Sequence, residues 1–192
     1  MIWNKHYSFE GSHAFLSPSQ SSWVTYDDDK LIERFNNQLA VKRGTELHSY
    51  AELAIKHGII QPDTEDTLSR YINDAIHFKM DPEVVLFYSK WCFGTADSIS
   101  FRIEPKFSKD NPTLRIHDLK TGTTPAKLRQ LEVYAALFCL EYNFLPSEIV
   151  IVLRIYQSND ILELIPKSED IVPIMDKIRR FVDIIESLEN GE

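Results

Sequence analysis

The sequence predicts a mixed α/β domain in which a central sheet of about five strands is flanked by helices. Three observations carry that expectation. Apolar residues between Leu31 and His57 recur largely at three- and four-residue steps, the spacing of one face of a helix. The short stretches 84–91, 95–103, 114–119, 149–156 and 161–165 are rich in β-branched and aromatic residues, as strands are. The longer stretches 125–142 and 169–188 return to helical spacing.

Taken in order, the first 30 residues are polar and aromatic, with Ser17-Pro18-Ser19-Gln20-Ser21-Ser22 followed by Asp27-Asp28-Asp29, a mixture of loop and helix-start signals. The pattern from Leu31 to His57 is interrupted near Gly44, so two helices or one broken helix are expected. Pro62-Asp63-Thr64-Glu65 opens a further helix to about Phe78, with Asp63 or Thr64 as its N-cap. Val84–Trp91 reads as a first strand, Gly94 punctuates it, and Thr95–Ile103 reads as a second strand paired to the first. Leu114–Leu119 is a third strand that ends at Lys120-Thr121-Gly122. Pro125, a good first-turn residue, starts a long amphipathic helix to about Tyr142. Ile149–Tyr156 and Ile161–Ile165 flank a hairpin turn at Ser158-Asn159-Asp160, and Glu169–Leu188 is the last helix. Residues 1–192 read as one domain with a helical N-terminal portion of about 1–80, without repeats or low-complexity segments.

Composition narrows the function classes. The chain is 43% hydrophobic and 26% charged, as a folded globular protein is. Cys92 and Cys139 both sit in apolar stretches and form no C-x-x-C pair, which argues against a zinc site or an iron-sulfur cluster and for a reducing compartment. No apolar run reaches the roughly 18 to 20 residues needed to cross a bilayer, and the N-terminus lacks the basic-then-apolar order of a secretory signal. A soluble, cytoplasmic protein with no membrane partner is expected. The formal charge of -8 excludes a broad electrostatic grip on nucleic acid, so any DNA contact must be local, cation-bridged or partner-assisted.

The most informative stretches are Gly94-Thr95-Ala96-Asp97 and His117-Asp118-Leu119-Lys120-Thr121-Gly122. Carboxylates on neighbouring strands can meet at one end of a sheet and make a site for a hard cation, Mg2+ or Mn2+. Asp118 and Lys120 are two apart on a strand and leave from the same face, whereas His117 points to the other. Asp118 can therefore hold a metal while the Lys120 ammonium orients a water and offsets charge developing on a scissile phosphate. Alone, this D-x-K pattern is weak and reads rather as an exposed pair on a solvated strand.

Its company is Gly44-Thr45-Glu46-Leu47-His48 upstream and Gln130-Leu131-Glu132-Val133-Tyr134 downstream. Over roughly residues 40 to 156, this order of motifs resembles the RecB-like branch of the PD-(D/E)XK nucleases, which includes the CRISPR-associated adaptation nucleases and is related to lambda-type exonucleases. The resemblance implies a restriction-endonuclease-like core. It implies His48, Asp97, Asp118 and the backbone carbonyl of Leu119 as metal ligands, with Asp97, Asp118 and Lys120 as the catalytic set. Gln130 and Tyr134 match the family's Q-x-x-x-Y motif and share one helical face; for Tyr134, core packing and DNA contact both remain open. Glu46 and Glu52 are further ligand candidates beside His48. The cluster-binding cysteines and the helicase portion of larger relatives are absent, so no iron-sulfur cluster is expected.

Lys42, Arg43, Lys127 and Arg129 could touch phosphates, and Thr121 with its neighbours could donate to one at the helix N-terminus, although Gly122 reads equally as a simple turn. The expected activity is metal-dependent hydrolysis of DNA phosphodiesters in recombination, repair or phage DNA processing. Exonuclease action is preferred on the resemblance alone, which also makes a homo-oligomer or a recombination partner protein reasonable. A phage-encoded protein would act in the host cytoplasm. The competing expectation is a non-catalytic DNA-binding or assembly subunit that keeps the fold, which the acidic balance favours.

Overall fold

The computed structural model describes residues 5–108 and 110–191. The chain divides into two compact units, Met1–Thr45 and Glu46–Glu192. The first holds two 3-10 segments, Tyr7–Phe9 and Pro18–Thr25, and the beginning of a long helix, α1 (Asp28–His57). Asp27 starts that helix by accepting the Lys30 backbone N–H at 2.8 Å. The helix runs on through Gly44, so the expected interruption is not there. A mid-helix glycine costs only about 1 kcal/mol, which the good helix formers around it offset.

The second unit contains the rest of α1, then α2 (Thr67–His77), β1 (Asp81–Ser89), β2 (Cys92–Ile103), β3 (Pro112–Leu119), α3 (Arg129–Tyr142), β4 (Val150–Gln157), β5 (Asp160–Leu164) and α4 (Ser168–Asn190). Three strands, a helix, two strands and a helix follow one another as the periodicity predicts. The sheet order is β1-β2-β3-β4-β5. All pairs are antiparallel except β3 and β4, which are parallel. A parallel pair needs a crossover, and α3 supplies it.

Several boundaries differ from expectation for local reasons. Asp66, rather than Asp63 or Thr64, caps α2 by accepting from the Ser69 N–H at 2.9 Å. Gly94 lies inside β2, and the β1–β2 turn is at Lys90-Trp91. α3 begins at Arg129 instead of following Pro125 directly, because Gln157 clamps the intervening loop: it donates to the carbonyls of Gly122 and Thr124 and accepts from the Ala126 N–H. The β4–β5 hairpin closes through Ser158 and Asn159, both at positive φ (53° and 62°), as a two-residue hairpin turn requires.

Strand alternation gives the sheet two covered faces. Leu114 and Ile116 of β3 pack with Leu131, Ala135 and Phe138 of α3 and Ile171 and Met175 of α4. Leu119 and Tyr156 face the other way, onto Ala51, Ala54 and Ile55 of α1 and Tyr71, Ile72 and Ala75 of α2. In β2 the alternation slips once: Ala96 and Ile99, three residues apart, both join the α3 side. The β1–β2 pairing skips one position at the same place, between Pro82↔Ser98 and Val84↔Ala96. The skipped residues are Glu83 and Asp97.

No helix among the described residues is long and apolar enough to cross a membrane. Ile116 is fully buried in the middle of the sheet. Ile116→Ala is therefore expected to lower unfolding free energy by about 2–5 kcal/mol in urea titrations at unchanged m-value.

Candidate metal centre

The register of β1 on β2 and that of β2 on β3 together set a row of carboxylates. Ser98 pairs with His117, and one step further along the same register sets Asp97 beside Asp118. On the other side Asp97 faces Glu83 across the skipped position. Facing strand residues have Cβ atoms about 5 Å apart, so Asp97 has one acidic neighbour on each side, Glu83 and Asp118. Glu83 has φ 53°, a left-handed backbone that residues with a Cβ rarely adopt and that costs on the order of 1 kcal/mol.

α1 brings in His48, whose Nδ1 lies 3.5 Å from Asp97 Oδ2. His48, Glu83 and Asp97 each offer one ligand atom, and these atoms lie within 4.8 Å of one another, so the group could hold a metal ion. The Leu119 N–H donates to Asp97 Oδ2 at 2.9 Å and fixes that carboxylate. Lys120 Nζ donates to Asp118 Oδ1 at 2.8 Å and to Gln130 Oε1 at 3.1 Å. The other oxygen of Asp118, Oδ2, is buried and has no hydrogen-bond partner among the described residues. A carboxylate oxygen taken out of water without a partner is costly, and a cation is the partner whose chemistry fits it.

Electrostatics point the same way. Burial, then the negative charge of Asp118, pushes the Asp97 carboxyl up to about 6, although the Leu119 N–H, His48 and Lys120 pull it down. Burial and the nearby Glu52 charge raise Glu83 as well, against His48 and Lys56. Tyr71, buried under the site, is held well above the usual phenol range, mainly by burial and then by the Asp97 charge. The space is short of positive charge.

Behind the site a polar clamp fixes the ends of β3 and β4. The Lys120 N–H donates to the Tyr156 carbonyl at 2.9 Å. The Tyr156 hydroxyl donates to Asp74 Oδ2 at 2.5 Å, and Arg154 Nη1 donates to the same oxygen at 2.9 Å. His117 lies on this far face, fully buried, 3.3 Å from the Tyr156 hydroxyl; burial, then Arg154 and Arg115, hold its imidazole well below the usual range and therefore neutral.

Of the residues singled out by sequence, His48, Asp97, Asp118, Lys120 and Gln130 come together. Asp118 touches Lys120 and lies outside the His48–Glu83–Asp97 ligand group. Leu119 ends β3 and is buried. Tyr134 is half-buried, its ring close against Gly94. Thr121 and Lys127 are exposed in the loop before α3. Arg129 turns to Glu132 at 3.0 Å and lines the cleft between α3 and α4. Glu46 is exposed, and Glu52 pairs with Lys56. Lys42 and Arg43 are exposed in the first unit. Glu83 was not anticipated: nothing in Asp81-Pro82-Glu83 marks it, and only the strand pairing brings it opposite Asp97.

No family model matches the chain, and neither a curated protein nor a solved structure matches it.

The raised Asp97 carboxyl has a defined consequence for stability. A carboxyl raised above 3.8 to about 6 contributes stability that is fully present below pH 3.8 and lost as pH rises to about 6. Asp97→Asn, a neutral near-isostere that keeps an acceptor for the Leu119 N–H, should therefore be more stable than wild type at pH 7.5 without metal, by on the order of 1–2 kcal/mol. The advantage should vanish near pH 4. Added Mn2+ should raise Tm in wild type only, and less so below pH 6, where protons compete. Equal Tm values for the two proteins at pH 7.5 would contradict the electrostatic account.

Proposed function

We propose that this protein is a metal-dependent DNA nuclease of the RecB-like PD-(D/E)XK type, hydrolysing phosphodiester bonds with Asp97, Asp118 and Lys120 at its centre. The observation that carries the reading is the unpartnered, buried Asp118 oxygen beside a lysine that is itself held by two acceptors. Asp97 and His48 beside this pair add to the support. The order of motifs on the chain supports the same reading, as does their position at the carboxyl end of β3 beside parallel β4, a place where open α/β sheets commonly bind ligands.

His48, Glu83, Asp97 and Asp118 are the residues that would hold Mg2+ or Mn2+, both hard ions suited to oxygen and imidazole donors. Such an ion supplies Lewis acidity toward a phosphate oxygen and lowers the pKa of a water. The chain's own contribution is positional. Lys120, half-exposed and anchored to Asp118, presents an ammonium where negative charge develops on the scissile phosphate. Gln130 keeps that ammonium from swinging away, and the Tyr156 carbonyl fixes its backbone. Leu119 keeps Asp97 in place through its N–H.

With a formal charge of -8, the chain grips DNA only locally, and Lys127 and Thr121 in the exposed loop before α3 are the nearest groups for flanking phosphates. Exonuclease action is the preferred mode, in recombination, repair or phage DNA processing.

The test is incubation with linear and circular, single- and double-stranded DNA in Mg2+, Mn2+ or chelator. Cleavage should require the metal, and Lys120→Ala should reduce it by about 10^2- to 10^3-fold while the fold and metal-induced Tm shift persist. A folded protein that cuts none of these substrates would remove the catalytic reading and leave the DNA-binding or assembly subunit.

A further inference from the structure

Gly94 lies in β2 three residues before Asp97. Its φ is not in the left-handed region, so the backbone itself does not call for glycine there. Space does. A β-carbon at this position would lie 3.0 Å from Cε1 of Tyr134, 3.3 Å from its hydroxyl oxygen and 3.6 Å from Cζ. Carbon atoms rest at about 3.5–4.0 Å, so a side chain here requires the ring to give by a few tenths of an ångström.

The ring is half-buried and is carried by α3, so the room it can yield is set by its own torsions and by the seating of that helix. Tyr134 is flanked on α3 by Leu131 and Ala135, which are buried in the core beneath. Gln130 is one turn before Tyr134 on the same face. Its Oε1 accepts from Lys120 Nζ at 3.1 Å, a distance that leaves little slack before the bond is lost.

We propose that Gly94 is a positioning residue for Lys120: by admitting the Tyr134 ring against β2, it seats the first turns of α3 so that Gln130 reaches the lysine ammonium. The functional part of this inference rests on the nuclease reading, whereas the geometric part does not. It also gives Tyr134 a role distinct from touching DNA, that of a spacer between strand and helix.

The experiment compares wild type, Gly94→Ala, Tyr134→Ala, the double variant Gly94→Ala/Tyr134→Ala, and Gly94→Ala/Tyr134→Phe, the last two each against its own Tyr134 background. DNA cleavage in Mn2+ gives kcat and KM. The NMR signal of the Lys120 ammonium in lysine-labelled protein, assigned with Lys120→Arg, reports the Gln130 contact without any substrate. Gly94→Ala should lower kcat by on the order of 10- to 100-fold with KM nearly unchanged. It should also move the Lys120 signal in the direction that Gln130→Ala moves it. Both effects should disappear when Gly94→Ala is made in Tyr134→Ala, which frees the space. Both should persist in Tyr134→Phe, which keeps the ring carbon that makes the closest contact.

A Lys120 signal untouched by Gly94→Ala, or the same loss with and without the Tyr134 ring, would overturn the proposal. If Gly94→Ala fails to fold, restoration of folding and of the wild-type Lys120 signal by Tyr134→Ala would support it, and failure to restore them would overturn it. If wild type cleaves no DNA, the nuclease reading fails, and the ammonium signal still decides the role of Gly94.

Discussion

The structure depends most on a shortage of positive charge at one point of the sheet. Glu83, Asp97 and Asp118 stand on three neighbouring strands, with Lys120 and His48 beside the aspartates and His48 and Lys56 near Glu83. Burial of Asp97 and Asp118 removes the water that would otherwise screen them from one another; the Asp97 carboxyl is pushed up to about 6, and one Asp118 oxygen has no hydrogen-bond partner among the described residues. Asp118 is buried, Asp97 partly buried and Glu83 exposed, and each carboxylate raises the cost of ionising its neighbour. A divalent cation turns the same arrangement from a liability into a binding site.

The surrounding architecture keeps the acids from drifting apart. β3 and β4 run parallel, and beyond their paired residues the Lys120 N–H continues the ladder to the Tyr156 carbonyl. On the far face, Tyr156 is locked by Asp74 and Arg154, and Arg154 also pairs with Glu163 of β5. Below, Leu119 and Tyr156 pack with α1 and α2 in a core separate from the one under α3. Lys120 is thus fixed through its backbone from one face and through its ammonium, by Gln130, from the other. Positioning of this kind is what transition-state stabilisation requires, because a displaced charge loses most of its effect.

Much of this was legible in the sequence because it depends on local periodicity. Two-residue spacing put Asp118 and Lys120 on one face, four-residue spacing put Gln130 and Tyr134 on one helical face, and strand and helix patterns gave the order of elements. What was not legible depends on pairing between strands. Glu83 joins the site because the β1–β2 register sets it opposite Asp97, and no residue type at 81–83 announces that pairing. Gly94 read as punctuation, whereas its role is to leave space for a ring that arrives 40 residues later in the chain, from Gly94 to Tyr134. The interruption expected at Gly44 and the cap expected at Asp63 or Thr64 are not found, because good helix formers carry α1 through the glycine and Asp66 accepts from the Ser69 N–H.

The central claim is that the row of carboxylates is a cation site in which Asp118 takes part through its free oxygen. The most direct measurement is a crystal structure of the protein grown with Mn2+, with anomalous diffraction collected to locate the ion. The account predicts an anomalous peak within about 2.0–2.3 Å of Asp118 Oδ2, with Asp97 also in its coordination shell. A well-ordered site without a peak, or with Asp118 Oδ2 occupied by a protein donor or water instead, would contradict it.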